Sequence, residues 1–277
     1  MSTLPDVPLS PSSSPTPTNG SPLLGFSLDL LIGIATLLFL SVLGGLAWGL
    51  GRGFEVGMQA AREGNTQGAA ALANSLGTPG ALAQMLIALF STGGAALLLY
   101  FLRRRASPAE RAQSHQAVRR ASTWGWTALV AAGVFLGSSG IGWAAKQMGV
   151  EPVPTNLLLM QQAWAQYPLF LIAFAVLLAP AYEELLFRRV LFGRLWAAGR
   201  PLLGIVLSSA AFALVHEIPG TSPNSFPAML QLWLIYGGMG AAFAWVYRKT
   251  GTLWAPVVAH AVNNAIALAA MVLLGTQ

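Results

Sequence analysis

The chain contains no cysteine, which excludes disulfides, a thiolate nucleophile and every cysteine-ligated zinc or iron–sulfur site. Any metal would have to be held by His, Asp, Glu or Asn. Charge is nearly as scarce: 9% of the 277 residues are Asp, Glu, Lys or Arg and 55% are hydrophobic, against about 25% charged in a soluble domain. So few charges do not cover a soluble globule. Histidine occurs three times. Residues 1 to 22 carry no Lys or Arg, which argues against a secretory signal peptide with a basic start. Their Ser, Pro and Thr content predicts a disordered cytoplasmic tail over 1–25.

What is abundant is long apolar runs. Each is close to the about 20 residues needed to cross a ~30 Å hydrocarbon layer. The pattern predicts an all-α, polytopic membrane helical bundle with about seven transmembrane helices. The spans are Phe26 to Leu50, Gly80 to Leu102, Trp124 to Ala145, Pro168 to Trp196, Leu202 to Ile218, Ala228 to Tyr247 and Leu253 to Leu274. Between the first two, Arg52 to Gly77 is rich in Ala, Gly and Gln and is expected to be a polar loop with room for a surface helix.

The net charge of +6 does not imply nucleic acid, because the cations sit at span ends, where membrane topology puts them. Arg103, Arg104, Arg105, Arg111, Arg119, Arg120, Arg188, Arg189, Arg194, Arg200, Arg248 and Lys249 fall on one side. Arg52, Arg62 and Lys146 fall on the other. Twelve against three places the basic loop 103–122 and the N terminus in the cytoplasm by the positive-inside rule. The partners expected are the lipid bilayer and a membrane-associated peptide or protein, with no nucleic acid.

An ionisable group inside a spanning helix costs about 2.5 to 3.5 kcal/mol on insertion scales, so it marks a functional candidate. Glu183, Glu184, His216 and His260 qualify. Glu184 and Arg188 are spaced i, i+4, acid first, which favours an ion pair along one helix face. Glu183 lies about 100° away and has Phe187 four positions ahead, so it is the freer carboxylate and the candidate base. A hairpin turning near Arg200 would set Glu184 level with His216, Glu183 with Glu217 and Arg188 with Phe212. On the last span His260 and Asn264 share one face, one able to take a proton or metal, the other to donate through its amide. Gly237, Gly238 and Gly240 are small residues that allow helices to approach closely.

Three segments now read together. "EELLFR" matches E-E-x-x-x-R, "FALVH" from Phe212 to His216 matches F-x-x-x-H, and "HAVNN" matches H-x-x-x-N, in that order on successive spans. The set resembles the family of CAAX-prenyl endopeptidases and bacteriocin-processing proteins, the CPBP or Abi intramembrane proteases. The resemblance covers about residues 167 to 274 and marks 167–277 as a catalytic helical core. The spans in 26–166 carry no motif that matches. The resemblance implies that Glu183 and His216 activate a water while His260 and Asn264 stabilise the tetrahedral oxyanion. Glu184 completes the catalytic set, and Arg188 and Phe212 would support it structurally.

Amide hydrolysis requires those two things in any case, a base for water and donors aimed at the developing oxyanion. Zinc is a candidate cofactor, with Glu183, His216 and His260 as ligands and a fourth position for water. H-E-x-x-H is absent, because "HEIPG" has Gly220 where the second His would stand. Two other classes compete: a non-catalytic membrane immunity or scaffold protein of the same fold, and a proton-coupled transporter. The halves show no internal repeat of the kind transporters carry. "GSSG" at 137–140 has no histidine placed to serve a serine nucleophile. The expected location is a bacterial cell membrane.

Overall fold

The computed structural model describes residues 21–64 and 76–275. Those residues form nine helices and an all-α bundle. We number them α1 (Pro22–Arg62), α2 (Ala81–Arg103), α3 (Pro108–Val118), α4 (Ala121–Gln147), α5 (Leu157–Gln166), α6 (Pro168–Ala197), α7 (Pro201–His216), α8 (Phe226–Thr250) and α9 (Trp254–Leu274). Six of them, α1, α2, α4, α6, α8 and α9, are long and apolar enough to cross a membrane, and the chain is an integral membrane protein. The remaining segment read as a span is α7. Its 16 residues reach about 24 Å at 1.5 Å per residue, so it stops short of a ~30 Å crossing.

Two boundaries differ from expectation. The tail predicted over 1–25 falls mostly outside the described residues, but its last residues are helical, because Pro22 opens α1 as its first residue, a position where a missing N–H costs nothing. The polar loop expected from Arg52 does not begin there either. α1 runs unbroken through Arg62, 41 residues in all. No proline interrupts it, and Arg52 to Glu55 (3.1 Å) and Gln59 to Glu63 (2.9 Å) pair along the helix surface. It ends at Gly64, whose φ of +64° suits glycine. Residues 65–75 of that segment lie outside the described residues.

The helices pack around α6. On one side of it Phe26, Leu99, Leu186, Phe187, Val190, Leu191, Leu195 and Phe212 form a core shared by α1, α2, α6 and α7. A second core joins α4, α8 and α9 through Val130, Val134, Met239, Phe243, Val246 and Ala259. α7 and α8 approach closely at Gly240, where an added Cβ would lie 3.0 Å from both Cα and Cβ of Ser209. Of the three glycines read as packing residues, Gly240 is the one the contact requires.

The arginine-rich ends gather at one end of the bundle. Asp29 of α1, fully buried, is held by Arg103 of α2 and Arg194 of α6. Arg104 donates to the Gly193 carbonyl at 2.9 Å. Arg189 grips both oxygens of Glu110 at 2.8 and 2.9 Å and donates through Nε to the Arg104 carbonyl. Glu110 also closes a capping box with Ser107 at the start of α3. At the opposite end Lys146 pairs with Glu151 at 3.3 Å. Residues sorted to opposite sides by charge therefore stand at opposite ends.

Two variants test this packing. Burial raises the Glu110 pKa, but the Arg189 guanidinium and Ser107 outweigh it and hold the carboxyl at about 2. A depressed carboxylate contributes stability that is complete above its unfolded value of about 4.3 and is lost as pH falls through the folded value. Docking of α3 is thus expected to persist from pH 7 through pH 4.5 and to fail only towards about 2. Glu110→Gln should release it at pH 7, read by hydrogen exchange over 108–118. Gly240→Ala should lower stability by about 1 to 3 kcal/mol, as overpacking does, and Ser209→Gly should recover part of that loss in thermal unfolding.

Candidate active site

Three helices bring the polar groups together. α6 supplies Glu183, Glu184 and Arg188, α7 supplies Phe212 and His216, and α9 supplies His260 and Asn264. α6 is not a regular helix here. Its segments Ala173–Leu178 and Leu185–Phe192 are π-helical, and the α-helical turn Ala179–Glu184 with both carboxylates lies between them. Such wide turns are rare and recur at functional sites, because they change the helix phase and re-aim side chains.

The two carboxylates have different surroundings. Glu184 is fully buried, 3.0 Å from Arg188 Nε through Oε2 and 2.9 Å from His260 Nδ1 through Oε1. Arg188 is equally buried. It donates to the Gly240 carbonyl at 3.2 Å and lies over the Phe212 ring at 4.6 Å, with Phe243 at 5.4 Å. An aromatic face on a desolvated guanidinium is an attractive contact. Glu183 keeps 16% side-chain exposure. Its Oε2 is 3.7 Å from His216 Nε2 and 3.8 Å from His260 Nε2, and among the described residues no hydrogen bond satisfies that oxygen.

The acceptors decide the histidine tautomers. His216 Nδ1 is 2.8 Å from the Phe212 carbonyl, which only accepts, so the proton is on Nδ1. His260 Nδ1 faces the Glu184 carboxylate at 2.9 Å and carries its proton for the same reason. In the neutral rings both Nε2 atoms then keep their lone pairs, and both point at one oxygen of Glu183. The rings are held by aromatic neighbours. His216 lies between Phe212, 4.3 Å between centroids, and Tyr236, 4.7 Å. His260 stacks on Phe243 at 5.0 Å.

The hairpin register estimated from sequence is corrected at two places. His216 meets Glu183 rather than Glu184, and Glu217 does not oppose Glu183. The π-helical turn Leu185–Phe192 holds an extra residue, which shifts α6 against α7 by about one position. Arg188 does meet Phe212. Glu217 instead accepts hydrogen bonds from Thr155, Ser222 and Asn224. Asn264 donates through Nδ2 to the Ala175 carbonyl at 2.9 Å, inside the first π-helical segment, so one of its two amide hydrogens is committed to α6.

Sequence reasoning missed Tyr236, which has no charge and no motif around it. It also missed Asp29, an acid near the start of a span with no basic residue within a turn of it. For zinc the donor chemistry fits, two imidazole lone pairs and a carboxylate. A tetrahedral site with Zn–N of about 2.05 Å sets ligand atoms about 3.4 Å apart. The 3.7 and 3.8 Å separations here are wider, and among the described residues no three His, Asp or Glu groups stand in ligand geometry.

Comparison with known proteins finds relatives over the stretch that holds these residues. Residues 165–266 match the family described as type II CAAX prenyl endopeptidase, Rce1-like. The matched segment begins at the end of α5 and holds every motif residue. Over these helices the chain is similar to the CAAX-prenyl-endopeptidase, or CPBP, family. Two curated relatives are similar over this region. YdiL of Bacillus subtilis (strain 168), a membrane peptidase by assignment, is 32% identical over 97 residues, 35% of this chain and 35% of that protein. The membrane-embedded CAAX protease MroQ of Staphylococcus aureus (strain USA300) is 26% identical over 117 residues, 42% and 43% of the two chains. The aligned stretches thus span well under half the length of either relative. No solved structure matches the chain.

Removing one member of the buried charge group should leave the others unpaired. Arg188→Ala is expected to cost about 3 to 5 kcal/mol, the range for stranding a buried charge. Arg188→Met combined with Glu184→Gln, which removes both charges, should recover most of that loss. Thermal unfolding of the purified protein in detergent checks both.

Proposed function

We propose that the chain is an intramembrane endopeptidase that hydrolyses peptide bonds of membrane-associated proteins or peptides. The observation that carries this reading is the meeting of two imidazole Nε2 atoms on the buried, unpaired Oε2 of Glu183, whose side chain as a whole keeps 16% exposure. A water in that space can give one hydrogen to Glu183 and the other to His216 Nε2. Glu183 takes one of its protons as it attacks the scissile carbonyl, and His216 orients it through Nε2. The carbonyl oxygen becomes an oxyanion. His260, which takes a proton from solvent at Nε2 before the attack and keeps it through the cycle as an imidazolium balanced by Glu184, stabilises it together with the uncommitted amide hydrogen of Asn264. Glu183 then returns its proton to the leaving amine, and the acid and amine products separate.

The same convergence favours a second reading of the water-activating step. Glu183, His216 and His260 would be the ligands of a zinc ion, which supplies Lewis acidity and lowers the pKa of a bound water. In that reading His260 would offer its Nε2 lone pair to the metal, and Asn264 would be left as the oxyanion donor. Arg188 neutralises Glu184, and Glu184 holds the His260 tautomer. The positive-inside distribution supports an N terminus in the cytoplasm, and the bacterial relatives support a bacterial cell membrane. A non-catalytic membrane immunity or scaffold protein would keep the fold without needing an unsatisfied carboxylate at its centre.

Cleavage of a fluorogenic membrane-peptide library by purified protein tests the proposal. Glu183→Gln and His260→Ala should each lower kcat by about 10²- to 10⁴-fold, the range for loss of a general base or an oxyanion donor. Wild-type turnover in both variants would refute catalysis at this site. Metal analysis of the same samples separates the two readings. Stoichiometric zinc, lost in both Glu183→Ala and His216→Ala, supports the metal; activity in metal-free protein supports the glutamate-only mechanism.

A further inference from the structure

We propose that Glu217 is a positioning residue that fixes His216 by latching two loops across the end of α7. This inference rests on the catalytic reading of His216. α7 ends at His216, and Glu217 leaves the helix with φ −141° and ψ 90°. Helix ends fray, and here the frayed residue would be the one that faces the water. Glu217 is fully buried with no cation against its carboxylate in the described residues, a costly arrangement unless hydrogen bonds replace the lost hydration.

Those hydrogen bonds come from both loops. Thr155, between α4 and α5, donates Oγ1 at 2.8 Å. From the loop between α7 and α8, Asn224 donates Nδ2 at 2.9 Å and Ser222 donates its hydroxyl. Asn224 also joins the two loops directly. It accepts from the Val153 amide at 2.9 Å and donates to the Val153 carbonyl at 2.8 Å. The main chain of Glu217 is held as well, its N–H on the Ala213 carbonyl at 3.1 Å and its carbonyl accepting Trp233 Nε1 from α8 at 2.8 Å.

One residue is thus tied to the 153–155 loop, the 222–224 loop, α7 and α8. His216 precedes it directly, so these ties hold the backbone on which its ring is mounted. An ionised carboxylate suits the place because it only accepts, and three donors converge on it. A glutamine would turn its own NH₂ towards one of them.

Hydrogen exchange and turnover of the full-length chain in lipid nanodiscs test the latch, using Glu217→Gln, Thr155→Ala and Asn224→Ala. Each single variant should speed exchange in 151–157, 213–217 and 218–225 together, by about tenfold or more. Each should lower kcat about 10- to 100-fold, as small misplacement of a catalytic group does, with KM unchanged. Thr155→Ser keeps the donor and should restore both readouts. The proposal is overturned if exchange rises in one loop alone, or if kcat per folded molecule stays at the wild-type value. If the wild-type protein cleaves nothing, the endopeptidase reading fails, and joint loss of protection at 213–217 and in both loops still decides the latch.

Discussion

The site depends on one buried carboxylate. Glu184 has no exposure to solvent, and its ionised form is tolerable only because Arg188 lies on the same helix face and His260 donates from α9. Arg188 is buried too and draws on the Gly240 carbonyl and the faces of Phe187, Phe212 and Phe243. These contacts tie α6, α7, α8 and α9 to a common point, and they do so where a misplaced charge is most costly. Glu183 is the beneficiary. With its neighbour's charge compensated, it can face a water and two imidazoles without competing for Arg188.

Division of labour between adjacent carboxylates explains why the aromatic residues cluster here. Phe212 serves Arg188 with its face, His216 with its ring and His260 with its edge. A single side chain thereby limits the movement of three functional groups. Tyr236 and Phe243 complete the enclosure from α8. The closeness of α7 and α8 at Gly240 is part of the same construction, since the carbonyl that Arg188 uses is that of Gly240 itself.

Much of this was legible in the sequence, for identifiable reasons. The spans of α2, α4, α6, α8 and α9 follow from apolar length, and the Glu184–Arg188 pair follows from helical periodicity. The difference between Glu183 and Glu184 was readable from Phe187 standing where a cation would otherwise be. Other features were not accessible. The partner of His216 required the register of α6 against α7, and an extra residue in a wide turn leaves no mark in composition. Asp29 and Glu217 gain their meaning from arginines and loop hydroxyls distant in the chain. The extension of α1 was hidden by polar residues that pair along its own surface.

The wide turns on either side of Ala179–Glu184 have a mechanical consequence. In an ordinary helix the rotation of each residue about the axis is dictated by its neighbours, so both ends of α6 would set where the carboxylates point. Here the phase is broken before and after them. The short turn between behaves as a segment on two joints, and its heading is set by what Glu184 binds. A one-residue deletion in Ala173–Leu178 or Leu185–Phe192 would straighten α6 locally, yet it would swing that heading by about 100° relative to one half of the protein. The irregularity of α6 is therefore part of how the two glutamates acquire separate tasks.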